Sequence, residues 1–195
     1  AYLEEKGVGC IRSDGIKSFA AADGRLAVET EKGRRLICDL AIVCVGIKPE
    51  NNLAREAGLE ISPMGGIRVD VSMRTSDPDI YAVGDAVEIF DYLTGRRITT
   101  PLAGPANKQG RIAADNIMGR SSMFKGTLGT SVVKIFDAIL ASTGSNEKTL
   151  KDRNIPYMVN YTHSGSHASY YPGAEMMAIK LLFAPNNGRI LGAQI

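Results

Sequence analysis

Thr75-Ser76-Asp77-Pro78-Asp79-Ile80-Tyr81-Ala82-Val83-Gly84-Asp85-Ala86 is the stretch that decides the fold. Ser76, Asp77 and Pro78 have turn chemistry, and Ile80 to Val83 is a short β-rich run that predicts a buried strand. Gly84 lets backbone approach a ligand, and Asp85 then sets a carboxylate at the carboxyl end of that strand, where open α/β sheets bind ligands. An ionised aspartate only accepts hydrogen bonds, which suits a polyhydroxyl chain. Taken alone, Gly84-Asp85 also fits an ordinary loop, because the dipeptide is common in turns.

Upstream, short strand candidates alternate with turn signals. VGCI (residues 8–11), IKSFAA (16–21), LAVET (26–30) and RRLICDL (34–40) read as a meander, with turns at Ala22-Asp23-Gly24-Arg25 and at Lys32-Gly33. The run Leu40 to Val45 is apolar on both faces and predicts a buried parallel strand. Asn52 is positioned to cap a short helix that stops at Gly58. Gly65-Gly66 marks a turn before a strand at IRVDV (67–71). Downstream, Gly104 as a permissive cap and Pro105 at the first helical position predict a helix that exits at Gly119. Ala106, Gly110, Ala113 and Ile117 give it a nearly smooth face that would lie close to a sheet or a flat ligand. From about Thr127 strands follow in quick succession: VVKIF (132–136), AILAST (138–143), YMVNY (157–161), MAIKLLF (177–183) and RILGAQI (189–195). One helix from Glu147 to Arg153 with Ser145 as its cap interrupts them, and Asn186-Asn187-Gly188 turns the last hairpin. The fold class expected is parallel α/β material followed by an α+β unit.

Composition narrows the function classes. The chain has 195 residues, 44% of them apolar and 23% charged, with a formal net charge of +2. This suits folded domains with real cores rather than a disordered chain. No block of like charge or basic stripe interleaved with aromatics marks a nucleic-acid surface. No apolar run approaches a membrane helix and the first ten residues lack a signal peptide, so a cytoplasmic protein is the expectation. Cys10, Cys38 and Cys44 form no CxxC pair and lie in or beside apolar segments, as reduced core thiols would. His163 and His167 have no flanking carboxylate or cysteine, so no metal site is expected. The chain opens without methionine on a helix tail and stops within an apolar strand run. A piece of a longer protein is the expectation.

The string from Thr75 to Ala86 closely resembles the second FAD-binding motif of the pyridine nucleotide-disulfide oxidoreductases. The likeness extends upstream to AIVCVGIKPEN (41–51) and downstream to PLAGPANKQGRIAADNI (101–117). It implies Rossmann-like FAD- and NAD(P)-binding domains followed by an interface domain that dimerises. On that basis residues 1–46 end the NAD(P)-binding domain, 47–122 end the FAD-binding domain, and 123–195 form a truncated dimerisation domain. The resemblance gives Asp85 the flavin ribityl chain, with Gly84 beside it, and sets Leu102 and Ala103 at the pyrimidine edge. A helix beginning there offers free N–H groups and a positive dipole end, which would stabilise charge on a reduced, anionic flavin.

Ser166-His167-Ala168-Ser169-Tyr170-Tyr171-Pro172-Gly173 is, on its own, a turn with two packing aromatics. It resembles the HA-x-YYPG segment of coenzyme A-disulfide reductases and NADH-dependent persulfide reductases. In those homodimers a tyrosine reaches the partner subunit's redox cysteine, which makes Tyr171 the first catalytic candidate and Tyr170 the second. Asn107, Lys108 and Arg111 lie on a helix face that reads first as solvated; Asn107 is retained as a candidate for substrate, the other two as a basic neighbourhood for a phosphate.

No GxGxxG loop appears, so the first FAD motif and the NAD(P) pyrophosphate loop are not in this sequence. Nor do the three cysteines match the family's redox cysteine. The implied reaction passes a hydride from NAD(P)H to FAD, then electrons to a cysteine outside these residues, and on to a coenzyme A disulfide or persulfide. Two other readings compete: an NADH oxidase or peroxidase, and a non-catalytic dimerisation module. About half of the FAD contacts would come from residues outside this sequence, so the isolated chain is expected to be inactive and to hold flavin weakly or not at all. Purified chain should be colourless, and a flavin absorption spectrum would contradict this.

Overall fold

The computed structural model describes residues 1–195. The chain divides into two compact units, residues 1–47 and 48–195. No helix is long and apolar enough to cross a membrane.

In the first unit, helix α1 (Tyr2–Glu5) gives way at Gly7, whose φ of 81° is left-handed. An antiparallel meander follows, β1 (Ile16–Ala22), β2 (Arg25–Thr30) and β3 (Arg35–Cys38), in that order across the sheet. Ala22 pairs with Arg25, so Asp23 and Gly24 form a two-residue hairpin loop, and both take the positive φ such a loop requires. The central strand carries the unit's core, with Ala27, Val28 and Thr30 buried. Asp14 accepts from the Lys32 backbone N–H and lies 3.5 Å from Arg34, which braces the turn between β2 and β3.

Two expectations fail in this unit. VGCI forms no strand, and neither does Leu40 to Val45, where Ile42 is 80% and Val45 83% exposed. A strand apolar on both faces needs parallel neighbours and covering helices. This unit provides only an antiparallel meander that ends at β3. Cys44 shares the exposure and is no core thiol; Cys10 and Cys38 are half-buried, and all three are free.

The second unit opens with α2 (Asn52–Glu56), capped one residue earlier than expected, at Asn51, and closed by Gly58 at φ 74°. Asn51 is buried, donating to the Gly65 carbonyl and accepting from Arg55, so it fixes the following loop. Strand β4 is only Ile67–Arg68; it pairs in parallel with β5 (Val87–Phe90), which pairs antiparallel with β6 (Arg97–Ile98). Ile80 to Val83 is not a strand. Thr75 bonds back to the Asp77 and Ile80 carbonyls, closing a loop, and the backbone of the extended run beyond it pairs only with residues 73–75, with Arg74–Tyr81 as its single bridge. The regular strand begins after Gly84-Asp85, so Asp85 precedes β5 instead of ending a strand.

Helix α3 (Ala103–Ile117) starts two residues earlier than predicted, with Leu102 as N-cap and Pro105 in the first turn, where no intrahelical N–H bond is lost. Its inward face is Gln109, Ile112, Ala113 and Asn116 rather than the smooth stripe; Gly110 is exposed and would-be Cβ atoms there meet nothing. Ala113 joins Val69, Met73, Val87, Ile89 and Phe124 in one core. Asn116 donates to the Ser72, Ile112 and Ser122 carbonyls, tying the helix end to two loops.

The remaining elements are β7 (Ser131–Ile135), β8 (Ala138–Gly144), α4 (Glu147–Asp152), β9 (Met158–Gly165), β10 (Met176–Phe183) and β11 (Ile190–Gln194). The strands form one antiparallel sheet in the order β7-β8-β11-β10-β9. The cap of α4 is Asn146 rather than Ser145, its side chain accepting from the Thr149 N–H at 2.8 Å, because Ser145 is buried against β11 through its own N–H to the Leu191 carbonyl. Leu150 of α4 packs on Leu182 and Leu191 to make a second core. Leu182 is fully buried, so Leu182→Ala should cost about 2–5 kcal/mol in urea unfolding. A loss under about 1 kcal/mol would mean that this core tolerates a cavity.

Candidate functional site

Gly84 and Asp85 sit in a turn closed by the Val87 N–H on the Gly84 carbonyl, and the Ala86 carbonyl accepts from Ile67 of β4. Gly84 has φ 90°, a conformation glycine alone adopts cheaply, and a Cβ built there would point into open space. Its N–H donates to Gln109 Oε1 of α3 at 2.7 Å. Gln109 is 1% exposed, so this bond fastens the turn to the second turn of the helix from inside. Asp85, by contrast, is exposed, and its carboxylate makes no hydrogen bond or ion pair with the chain. Nothing within the fold uses it.

The start of α3 is equally open. Leu102 donates its N–H to the Thr100 carbonyl and provides no side-chain cap. The N–H groups of Ala103 and Gly104 have no partner, and Pro105 has none to offer. Two donors and the positive helix end are therefore available to an acceptor. Asn107 is exposed, but its Nδ2 donates to the Ala103 carbonyl at 2.9 Å, so its amide lies back along the helix. Lys108 lines a cleft of about 340 Å³ with Gly104, Pro105, Tyr92 and Lys125, and Arg111 lies further along the same flank.

The flanks of the turn are braced. Arg74 donates to the Tyr81 hydroxyl at 2.8 Å, and this bond, with attraction to Tyr81, raises the guanidinium pKa above its ordinary value. Glu88, the third residue after Asp85, is buried between Arg68 at 3.7 Å and Arg97 at 3.5 Å, and Arg97 stacks 4.6 Å over the Phe90 ring.

Tyr170 and Tyr171 stand on the loop between β9 and β10. Their rings lie 4.8 Å apart and they are 81% and 60% exposed. The loop is closed by Ser166, whose N–H meets the Glu175 carbonyl and whose hydroxyl accepts from the Glu175 N–H. Neither phenol has a hydrogen-bond partner in the chain. The structure thus gathers Gly84, Asp85, Leu102, Ala103 and Asn107 around α3 and leaves the tyrosine pair unconnected to them by any hydrogen bond. Gln109 was not foreseen from the sequence. Its signal was present: it shares the Ile112, Ala113 and Asn116 face, and a glutamine on a core-facing stripe needs a polar partner.

The donor and acceptor set fits a flavin: a free carboxylate for ribityl hydroxyls, free helix N–H groups for pyrimidine oxygens, and no Cβ at Gly84 to obstruct approach. Comparison with known proteins agrees with that chemistry. A family model described as pyridine nucleotide-disulphide oxidoreductase matches residues 1–118. The Methanocaldococcus jannaschii protein named NADH oxidase is 33% identical across 100% of this chain and 43% of its own length. The crystal structure of reduced Bacillus anthracis CoADR-RHD superposes with TM-score 0.93 at 44% identity, covering 99% of this chain and 34% of that one. A NAD-dependent persulfide reductase from A. fulgidus gives TM-score 0.93 at 38% identity, covering 99% and 36%. The mixed sheet and helix therefore matches this family's structures, and the chain spans well under half the length of these relatives.

Because Asp85 serves no contact in the fold, Asp85→Asn should leave stability within about 0.5 kcal/mol of wild type in thermal or urea unfolding. A loss of more than about 2 kcal/mol would assign the carboxylate a structural role instead.

Proposed function

Since the chain belongs to the pyridine nucleotide-disulphide oxidoreductase family, we propose that it is the flavin-holding and partner-facing portion of an NAD(P)H-dependent disulfide oxidoreductase acting on coenzyme A disulfide or persulfide. Residues 1–46 complete the NAD(P)-binding domain, 47–122 the FAD-binding domain, and 123–195 the domain through which two copies associate. The observation that carries this reading is the unpaired Asp85 carboxylate on a turn fastened to an uncapped helix start.

When bound, the flavin supplies a two-electron relay from NAD(P)H to a disulfide. Asp85 accepts hydrogen bonds from the ribityl hydroxyls and fixes the polyol. The Ala103 and Gly104 N–H groups and the α3 dipole hold negative charge at the pyrimidine edge, favouring the reduced state without reorganisation. Gly84 keeps the approach clear. Tyr171, exposed on the β9–β10 loop, donates its phenolic proton at Oη toward a leaving thiolate across the interface, and Tyr170 packs against it to set the ring. Asn107 lies one turn into α3, within reach of a substrate running along that flank.

The thiol-substrate reading is favoured by the HA-x-YYPG loop and by the likeness to a persulfide reductase. The oxidase reading has its support in the M. jannaschii relative's name. Steady-state turnover of the full-length protein separates them. Coenzyme A disulfide or a persulfide should be reduced faster than oxygen, and Tyr171→Phe should slow that turnover by about 10²-fold or more while sparing NAD(P)H-to-flavin transfer. Faster oxygen consumption, indifferent to Tyr171→Phe, would establish the oxidase. A full-length protein with no flavin and no turnover would leave only a dimerisation module.

A further inference from the structure

Gln109 has one half of its amide in use. Its Oε1 accepts the Gly84 N–H at 2.7 Å, and that donor fixes which end of the amide is oxygen. The other end, Nε2, carries two donors and meets no acceptor in the chain, although the residue is 1% exposed. The buried side-chain atoms without a partner are Asp14 Oδ2, Arg68 Nε and Glu88 Oε2, so Nε2 is the end at which this otherwise buried residue reaches the surface, and its two donors are open to an oxygen from outside the chain. Its amide carbon is bonded to the oxygen that holds Gly84, so Nε2 lies within a few ångströms of the turn that carries Asp85. The other nearby polar groups are already engaged or point elsewhere: the Ala103 carbonyl is taken by Asn107, and the Asn116 amide is spent on three carbonyls.

We infer that Gln109 is a cofactor-binding residue with two tasks: Oε1 locks the Gly84-Asp85 turn, and Nε2 donates to an oxygen of the same flavin polyol or pyrimidine edge. The inference rests on the flavin reading of Asp85 and adds a ligand to it. The arrangement couples the two ends of the site through one side chain. Occupation by flavin satisfies Nε2, which holds the amide in the orientation that fixes Gly84, so binding rigidifies the turn that binds.

The test uses the full-length protein, stripped of flavin and reconstituted with FAD, with side-chain amides of glutamine labelled with nitrogen-15. The Gln109 signal is assigned by its disappearance in Gln109→Glu or in Gln109→Met. On FAD addition the Gln109 NH2 signals should shift and their hydrogen exchange should slow, and FAD affinity should fall about three- to tenfold in Gln109→Met, the loss expected for one neutral hydrogen bond. Unchanged NH2 signals on FAD binding would overturn the inference and reduce Gln109 to a structural tie. If one variant fails to fold, the other assigns the signal, and the wild-type titration decides. Asp85→Asn keeps the underlying reading separate. Weaker FAD binding in Asp85→Asn with silent Gln109 signals rejects only the role of Gln109. Unaltered FAD binding in Asp85→Asn rejects the flavin reading of the turn itself, and this inference with it.

Discussion

A single part-buried hydrogen bond, from the Gly84 N–H to Gln109 Oε1, joins the turn before β5 to the inner face of α3. The geometry of the candidate site follows from it. Gly84 is held at a φ that only glycine tolerates well, the next residue is turned outward, and the start of the helix lies alongside. Without the bond the turn would be tethered only by its neighbours on β4 and β5, and a half-buried glycine N–H would lose its partner. The core on which α3 rests, Val69, Met73, Val87, Ile89, Ala113 and Phe124, supplies the rigidity that makes one hydrogen bond sufficient.

Around that constraint the chain separates structural from functional polarity. Asn51, Gln109 and Asn116 are buried or half-buried and bonded inward, and each fixes a loop or an element end, while Glu88 is buried between Arg68 and Arg97. The Asp85 carboxylate, the Ala103 and Gly104 N–H groups and the hydroxyls of Tyr170 and Tyr171 have no internal hydrogen-bond partners. Unsatisfied groups of this kind are tolerated in water, and they become valuable where a ligand or a second chain replaces the water. The same contrast recurs in the apolar residues. Leu182 and Leu191 are packed beneath α4, whereas Ile42 and Val45 are bare.

The elements legible in the sequence were those whose signals are local. Asp23-Gly24 set its hairpin because positive φ at two successive residues leaves few alternatives, and Gly58 and Gly119 stopped their helices for the same reason. The strands from Ser131 to Gln194 were readable because each pairs with a sheet contained within the chain. Leu40 to Val45 misled for the opposite reason: its apolar run specifies a strand only when parallel neighbours exist. Ile80 to Val83 failed because Thr75 closes the loop ahead of it. The cap of α4 slipped by one residue, since Ser145 is claimed by β11. Asp85 was visible through its motif, while Gln109 was hidden because its role depends on a residue twenty-five positions away.

If the Gly84-Asp85 turn and the start of α3 hold one flavin between them, a crystal structure of the full-length protein with FAD will show it. It should place ribityl hydroxyls within hydrogen-bonding distance of Asp85 and the pyrimidine oxygens on the Leu102 to Gly104 segment. Flavin bound elsewhere, with Asp85 still facing solvent and the Ala103 and Gly104 N–H groups still open, would contradict it.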